Sequence, residues 1–504
     1  MPDVQGRGHL WRRYLPDVRR SGLSDPYADV LQGHLHLGPV RNLSGSHPDL
    51  EARTAGWTPA VTGGLALSAK AVAHTVATRL NTPAHLDRAV AEAPRQSAFA
   101  NRNCWAPHTL SQGYAGVALL CGYLDACFPE EQWDLKAREQ LQLAVRAAEA
   151  YSELPIGLFS GLSGLAFAAW QLSRGGKRYV RLLDRLDQLI CMRAIAAAKG
   201  IRGRHGVCFA DFDAISGLSG VGAYLLCRRD RPGMTMALSS IVEGLVDLLS
   251  GGGALPRWYT PPDLLGDEET REYCPHGNLN FGLAHGIPGP LALLSLAYAA
   301  GVAAPGLAAA IARTAAWLCE TRYDDAWGVN WPAVLPLIQT DTADGGRLEV
   351  PGARSAPDGP SRCAWCYGSP GIARSLWLAG EALGREDYRA LAISAMEAVF
   401  RRPVAVRRID SPTFCHGVAG LLAIALRFHH DMGGTAFFEE IGALVQQLLD
   451  SYQPDSLLGF RHLETRNNQM DQPGLLEGAP GVALALLASA TGAEPTWDRL
   501  FLLS

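Results

Sequence analysis

Long apolar stretches recur along the chain, and each follows a short glycine motif. The motif is Gly-x-x-Gly, and its seven copies begin at Gly113, Gly161, Gly217, Gly286, Gly368, Gly417 and Gly478. The runs behind them, such as VALLCGYL, LAFAAWQL and VALALLAS, are apolar on nearly all sides. Helices with this pattern are buried on every face, so the runs predict a repeated set of core helices.

Amphipathic stretches alternate with these apolar runs. In residues 135–154, 181–198, 235–249 and 436–452, apolar positions recur every three or four residues and charged side chains occupy the other face. This spacing is typical of helices that cover a core on one side. The alternation predicts an all-α fold, an (α/α)7 toroid with seven inner and seven outer helices.

Three regions depart from the repeat. Residues 1–58 are rich in Gly, Pro, His and Arg, and we interpret them as a loosely packed N-terminal extension ahead of a toroid domain at 59–504. Residues 251–281 predict a small irregular insertion between the third and fourth repeats, near the mouth of the ring. Residues 323–362 predict a long loop with little regular structure, and such loops are often functional.

Composition and charge narrow the class of protein. The chain has 504 residues, 48% of them hydrophobic, and a formal net charge of -4. This small charge gives no reason to expect nucleic acid as a partner, and no apolar run predicts a transmembrane segment. The first twenty residues lack the apolar region of a secretory signal, and the eleven cysteines show no disulfide framework. We expect a cytoplasmic protein with reduced cysteines.

Metal-ligating side chains stand before two of the glycine motifs. In CAWCYGSPG, Cys366 stands two residues before the fifth copy, and in FCHGVAG, Cys415 and His416 stand immediately before the sixth. Thiolate and imidazole ligands suit zinc, and three protein ligands leave one position open, as in catalytic zinc sites. The sequence therefore predicts one Zn2+ per chain on Cys366, Cys415 and His416.

Three more polar residues stand at the same end of the repeats. His285 directly precedes the fourth copy, Asp213 stands four residues before the third, and Arg362 stands four residues before Cys366. A histidine held by a carboxylate is a common acid or base near neutral pH, and the arginine fork suits a developing oxyanion. Cys363 is interpreted as a packing or supporting residue, because no βαβ pattern accompanies the Cys-x-x-Cys pair.

The segments GLAHGIPG, WCYGSPG and CHGVAG, in this order on seven glycine repeats, resemble the lanthionine synthetase C-like family. The likeness points to its stand-alone lanthipeptide cyclases of class I pathways and covers roughly residues 60–504. It implies the toroid and the zinc ion on the three ligands. His285, Asp213 and Arg362 match catalytic positions of the family, and Tyr367 matches the aromatic residue after the first zinc cysteine.

This resemblance implies a zinc-dependent cyclase that acts on a precursor peptide whose Ser and Thr have become dehydroalanine and dehydrobutyrine. Cysteine thiols of the peptide would add to these residues in a Michael addition and form lanthionine or methyllanthionine thioether rings. The implied partners are this dehydrated peptide and the pathway's dehydratase and transporter, in a complex at the membrane. Whether His285 acts as acid or base stays open.

Other functions remain as alternatives. A family member that only binds a thiol such as glutathione would need the zinc alone, whereas Asp213, His285 and Arg362 are also present. A prenyltransferase-like toroid would take Asp, Cys and His ligands from separated positions instead of an adjacent Cys-His pair. A glycosidase toroid would need paired carboxylates in the mouth, where only Asp213 is well placed. The cyclase is therefore favoured.

Overall fold

The computed structural model describes residues 56–99, 102–251, 253, 255–340, 347–352, 361–464 and 468–504. Nearly all of the predicted N-terminal extension, up to residue 55, lies outside this range. The described part is mainly helical, with seventeen α-helices. They are α1 Gly63–Leu80, α2 Pro83–Gln96, α3 Tyr114–Cys127, α4 Trp133–Ala148, α5 Leu162–Gln171, α6 Val180–Ile201, α7 Phe209–Phe212, α8 Leu218–Cys227, α9 Met234–Ser250, α10 Glu268–Tyr273, α11 Pro288–Ala299, α12 Leu307–Glu320, α13 Ser369–Leu383, α14 Glu386–Arg401, α15 Val418–Asp431, α16 Phe438–Asp450 and α17 Ala479–Ala490.

Each copy of the glycine motif begins a buried helix. These helices are α3, α5, α8, α11, α13, α15 and α17, and the first glycine of the motif is the N-cap in all of them except α11. In α17 all twelve residues are buried. Proline occupies the first turn of α11, α13 and α17, where its missing N–H costs no helical hydrogen bond. The predicted core helices are confirmed.

The amphipathic stretches also form helices. They correspond to α4, α6, α9 and α16, whose bounds agree with the predicted ranges to within a few residues. The first is shorter than expected, because α4 ends at Ala148 and residues 149–154 lead as a turn and loop towards α5. Helices α1, α12 and α14 have the same half-buried character.

The chain divides into two compact units, and the described residues of the first are found in 190–409 and 499–504. In this unit α8 packs against α9, α11 against α12, and α13 against α14, while α11 also contacts α8 and α13. The C-terminus is fixed to this core, because the buried Arg374 side chain on α13 donates from Nε to the Leu503 carbonyl at 2.8 Å.

The described residues of the second unit are found in 56–189 and 410–498. Here α3 packs against α4, α15 against α16, and α17 against α1, α3 and α15. The Trp57 indole donates to the Ala488 carbonyl at 2.9 Å across 431 residues of sequence. Within this unit, α1 is thus paired with α17, the last of the buried helices.

The insertion and the predicted loop contain short strands. The described residues form four antiparallel pairs: β1 Asn278–Asn280 with β4 Val334–Pro336, β2 Tyr323–Asp325 with β3 Gly328–Asn330, β5 Ile338–Thr340 with β6 Arg347–Glu349, and β7 His462–Leu463 with β8 Gln469–Met470. The expectation of little regular structure in 323–362 is wrong for residues 323–340 and 347–349, which contain these strands. Strands of three residues are too short to show a periodic pattern and depend on partners distant in sequence.

Backbone hydrogen bonds link the segments that precede the buried helices. In the first unit, Ala214 N–H donates to the Ala284 carbonyl at 3.0 Å, and Ala284 N–H donates to the Cys366 carbonyl at 3.3 Å. The second unit repeats this pattern from Cys415 to Leu476 at 2.8 Å, from Leu476 to Ser111 at 3.4 Å, and from Ser111 to Phe159 at 2.9 Å. Within each unit, these bonds fix the residues before the glycine motifs beside one another.

Candidate functional site

Asp213 and His285 form the best-defined polar pair. The Asp213 carboxylate is fully buried at the end of α7, and its Oδ2 lies 2.6 Å from Nδ1 of His285. Its Oδ1 accepts the backbone N–H groups of Ser216 and Gly217, each at 2.7 Å. The carboxylate accepts the Nδ1 proton of His285, which leaves Nε2 to take up or release a proton.

Aromatic side chains enclose the His285 ring. The Phe209 ring lies edge-on with its centroid 5.1 Å away, and the Tyr367 centroid lies 6.4 Å away. The Tyr367 hydroxyl accepts a hydrogen bond from Asn280 Nδ2 at 3.0 Å. A Cβ on Gly282 would lie 2.6 Å from the tyrosine ring, so the ring rests on bare backbone. Phe209 and Asn280 have no signal in the sequence that would have marked them as part of the site.

Arg362 is half-buried, and it makes no hydrogen bond or ion pair to another residue that the structure describes. Its carbonyl packs against Gly368, which has a φ of 112°. A Cβ at Gly368 would lie 1.5 Å from the Arg362 carbonyl oxygen, so this turn requires glycine for both its conformation and its space. The turn holds the segment that carries Cys366 and Tyr367.

Cys415 and His416 belong to a group of cysteine and histidine side chains that could hold a metal ion. Each residue of the group offers one ligand atom, and these atoms all lie within 4.8 Å of one another. His416 is buried and Cys415 half-buried. Cys366 is also buried, in the segment that follows Arg362. Sulfur and imidazole donors of this kind fit zinc.

Further charged and polar side chains that the sequence analysis missed surround His416. The His462 ring lies edge-on with its centroid 5.1 Å from that of His416, and Glu477 Oε1 lies 4.0 Å from His416 Nδ1. Arg102 contacts both Glu477 and Glu464. Glu477 could have been found from the sequence, because it directly precedes the seventh glycine motif as His416 precedes the sixth.

Cys363 is not in a potential metal-ligand group of the described residues. It is buried, its Sγ accepts a hydrogen bond from Arg402 Nη1 at 3.5 Å, and burial raises the pKa of its thiol. Burial likewise raises the pKa of Cys104 and of Cys208 to about 11. These three side chains stay protonated at neutral pH and have the contacts of packing residues.

Comparison with known proteins gives the family. A family profile described as lanthionine synthetase C-like protein matches residues 104–502. Nisin biosynthesis protein NisC of Lactococcus lactis subsp. lactis is 27% identical over 355 residues, which are 70% of this chain and 82% of that protein. A solved structure of nisin cyclase matches with a TM-score of 0.65 at 24% identity, over 79% of this chain and 93% of the other.

The match to the solved structure shows a likeness in fold to nisin cyclase, and the matched family profile is that of the lanthionine synthetase C-like proteins. The chain belongs to the lanthionine synthetase C-like family. The resemblance and the predicted all-α toroid are thus confirmed, and so is the enzyme class, a cyclase that forms thioether bonds. Among the described helices, none has the length and apolar character needed to cross a membrane.

Proposed function

We propose that this protein is a zinc-dependent lanthipeptide cyclase that adds cysteine thiols of a precursor peptide to dehydroalanine and dehydrobutyrine. The observation that carries the proposal is the Cys/His group of potential metal ligands in a chain of the lanthionine synthetase C-like family. Relatives named for the biosynthesis and cyclisation of nisin support a peptide substrate.

The proposed ligands are Cys366, Cys415 and His416, with one zinc ion per chain. Zinc with three protein ligands supplies an open position at which a substrate thiol loses its proton near neutral pH. Cys366 and Cys415 would hold the metal as thiolates, whose negative charge would balance that of the metal and would keep a substrate thiol nucleophilic.

His285 is the proposed proton donor. Its Nδ1 is held by Asp213, so the proton that reaches the substrate comes from Nε2. The buried carboxylate stabilises the protonated imidazole, and the two backbone N–H groups on Asp213 keep it in place. After donation, the same nitrogen can accept the proton of the next thiol.

Arg362 and Tyr367 complete the proposed machinery. When the thiolate sulfur bonds to the β-carbon, the carbon–carbon double bond opens and negative charge develops on the amide oxygen as an enolate. The guanidinium of Arg362 stabilises this charge, and a proton from His285 then reaches the α-carbon. The net result is the addition of S–H across the double bond. Tyr367, held by Asn280, forms a wall beside His285.

A dehydratase must supply the substrate of this reaction, since the dehydro residues arise from Ser and Thr. We therefore propose the pathway dehydratase as a partner, with the transporter as a further partner at the membrane. The cytoplasm is the proposed location, because the described cysteines are free and the proposed chemistry needs reduced thiols.

The first test is zinc content per chain in wild type, Cys415→Ala and Cys363→Ala, measured by mass spectrometry on folded protein. We expect about one zinc in wild type and in Cys363→Ala, and a clear loss in Cys415→Ala, which lacks one of three ligands. The Cys363 variant is the matched control, since it removes a neighbouring buried thiol whose Sγ accepts a hydrogen bond from Arg402 and which is not a proposed ligand.

The second test incubates the enzyme with a dehydrated, thiol-containing precursor peptide. Ring formation leaves the peptide mass unchanged, so rings are counted as thiols that no longer react with an alkylating reagent. Wild type should protect the thiols and Cys415→Ala should not. Zinc binding without thiol protection would favour a thiol-binding protein. Wild type without zinc would contradict the metal site itself.

A further inference from the structure

We propose that Glu477 is a positioning residue for the metal ligand His416: its carboxylate faces Nδ1 and turns Nε2 towards the metal. The inference rests on the proposed zinc function. It concerns a residue that directly precedes the seventh glycine motif and has no role in the proposed zinc chemistry.

The backbone brings the two side chains together. Cys415 N–H donates to the Leu476 carbonyl at 2.8 Å, so the residues that follow, His416 and Glu477, stand side by side. Each directly precedes a glycine motif and a buried helix. His416 Nδ1 and Glu477 Oε1 are 4.0 Å apart, and the ligand atoms of His416, His462 and Glu477 all lie within 4.8 Å of one another.

Arg102 holds the carboxylate in place. Its two terminal nitrogens contact Glu464 and Glu477 separately, and its side chain is only 9% exposed. Glu464 is fixed in turn, because its carboxylate accepts the Ala98 N–H at 2.7 Å and the Ser97 hydroxyl at 3.0 Å. The ion pair with Arg102 therefore restricts the carboxylate of Glu477 to one position.

The charges of this network favour a nearby cation. Two carboxylates, Glu464 and Glu477, contact the guanidinium of Arg102, and the side chains of all three residues are largely buried. Charges attract more strongly in a largely buried place than in water, so the carboxylate of Glu477 favours a positive group beside it. A zinc-bound imidazole, polarised at Nδ1–H, is such a group.

The separation of 4.0 Å is longer than a hydrogen bond, so the contact is electrostatic attraction between the carboxylate and Nδ1–H. This attraction selects the tautomer that leaves Nε2 with its lone pair. The edge of the His462 ring, at 74° to the His416 plane, limits rotation of the ligand ring. A carboxylate that accepts a hydrogen bond from a metal-ligating histidine typically strengthens metal binding about 10- to 100-fold, and the longer contact here should lie at the lower end of that range.

The test measures the zinc affinity of the folded full chain by competition with a chelator of known affinity. Variants are Glu477→Ala, Glu477→Gln and Glu464→Gln. We expect Glu477→Ala to bind zinc about 10-fold more weakly than wild type, the lower end of the range for supporting carboxylates. Glu477→Gln keeps an acceptor oxygen and should recover part of the loss. Glu464→Gln is the matched control, because it alters the same Arg102 network without a contact to His416.

Several outcomes would overturn the proposal. One is a Glu477→Ala affinity equal to that of wild type, and another is an equal loss in Glu464→Gln, which would mean that the network is only structural. A complete loss of zinc in Glu477→Gln would make Glu477 a ligand instead. Should Glu477→Ala fail to fold, as thermal unfolding would show, Glu477→Gln against Glu464→Gln decides. Zinc missing from wild type would refute the proposed function, not this inference alone.

Discussion

Asp213→Asn is the sharpest test of the proposal that Asp213 and His285 act together in proton transfer. The substitution keeps the size of the side chain but replaces a carboxylate that accepts from three donors, namely His285 Nδ1 and the N–H groups of Ser216 and Gly217. An amide offers one acceptor oxygen. Its NH2 group must therefore face either the two backbone N–H groups or Nδ1 of His285.

The size of the effect follows from these contacts. If the amide oxygen of the new side chain accepts the two backbone N–H groups, the NH2 group of the same amide faces His285. The imidazole must then accept at Nδ1, so its proton stays on Nε2. General acid–base catalysis contributes about 10²- to 10⁴-fold to rates, so we expect cyclisation to slow by about this factor. Each lost bond to a charged group costs about 1.5–3 kcal/mol, so stability should also fall.

The assay is a single-turnover reaction with a dehydrated peptide, in which the remaining thiols are alkylated at set times. Zinc content is measured on the same samples and should stay at the wild-type level, because Asp213 is not a proposed ligand. The matched control is Asp211→Asn. That carboxylate is half-buried and accepts from the Cys208 N–H at 3.1 Å, with no contact to His285.

The control should cyclise at close to the wild-type rate. A folded, zinc-containing Asp213→Asn enzyme with wild-type activity would refute the role of the pair. Equal losses in Asp211→Asn and Asp213→Asn would show instead that any change near α7 disturbs the site.

Two further predictions concern stability. Gly417→Ala should destabilise the folded protein by several kcal/mol, because its Cβ would lie 2.1 Å from the Ser411 carbonyl oxygen. Gly442→Ala has open space in α16 and should stabilise the protein by up to about 1 kcal/mol. Denaturant unfolding of both variants measures these changes, and equal effects would contradict the prediction. Burial, with nearby His429 and Arg427, lowers the pKa of His430 to about 4. Between about pH 6.5 and 4 the unfolded chain binds a proton that the folded chain does not. The free energy of unfolding therefore decreases as the pH is lowered through this window. His430→Gln should weaken this dependence by roughly 1 kcal/mol, since the ring is partly exposed, and an unchanged pH profile would exclude His430 as a cause.

The repeats were predictable because their signals are local. A Gly-x-x-Gly motif and the apolar run behind it lie within about a dozen residues, and each helix forms from its own pattern. The residues next to the motifs followed from the same logic, which placed Asp213, His285, Cys366, Cys415 and His416 at the same ends of their helices. The short strands in 323–349 escaped prediction because three residues carry no usable period.

Sequence by itself thus determined the helical repeat, the family and the positions proposed for the chemistry, because neighbouring residues set helix burial and glycine turns. Tertiary structure alone decided the contacts between those positions. Asp213 and His285 are 72 residues apart, and their 2.6 Å contact depends on how α7 and the segment before α11 pack. The support of Tyr367 by Asn280, 87 residues away, and of Glu477 by Arg102, 375 residues away, has the same origin. Such contacts join residues that are far apart in the sequence, so they depend on how the helices pack, which no local sequence pattern encodes.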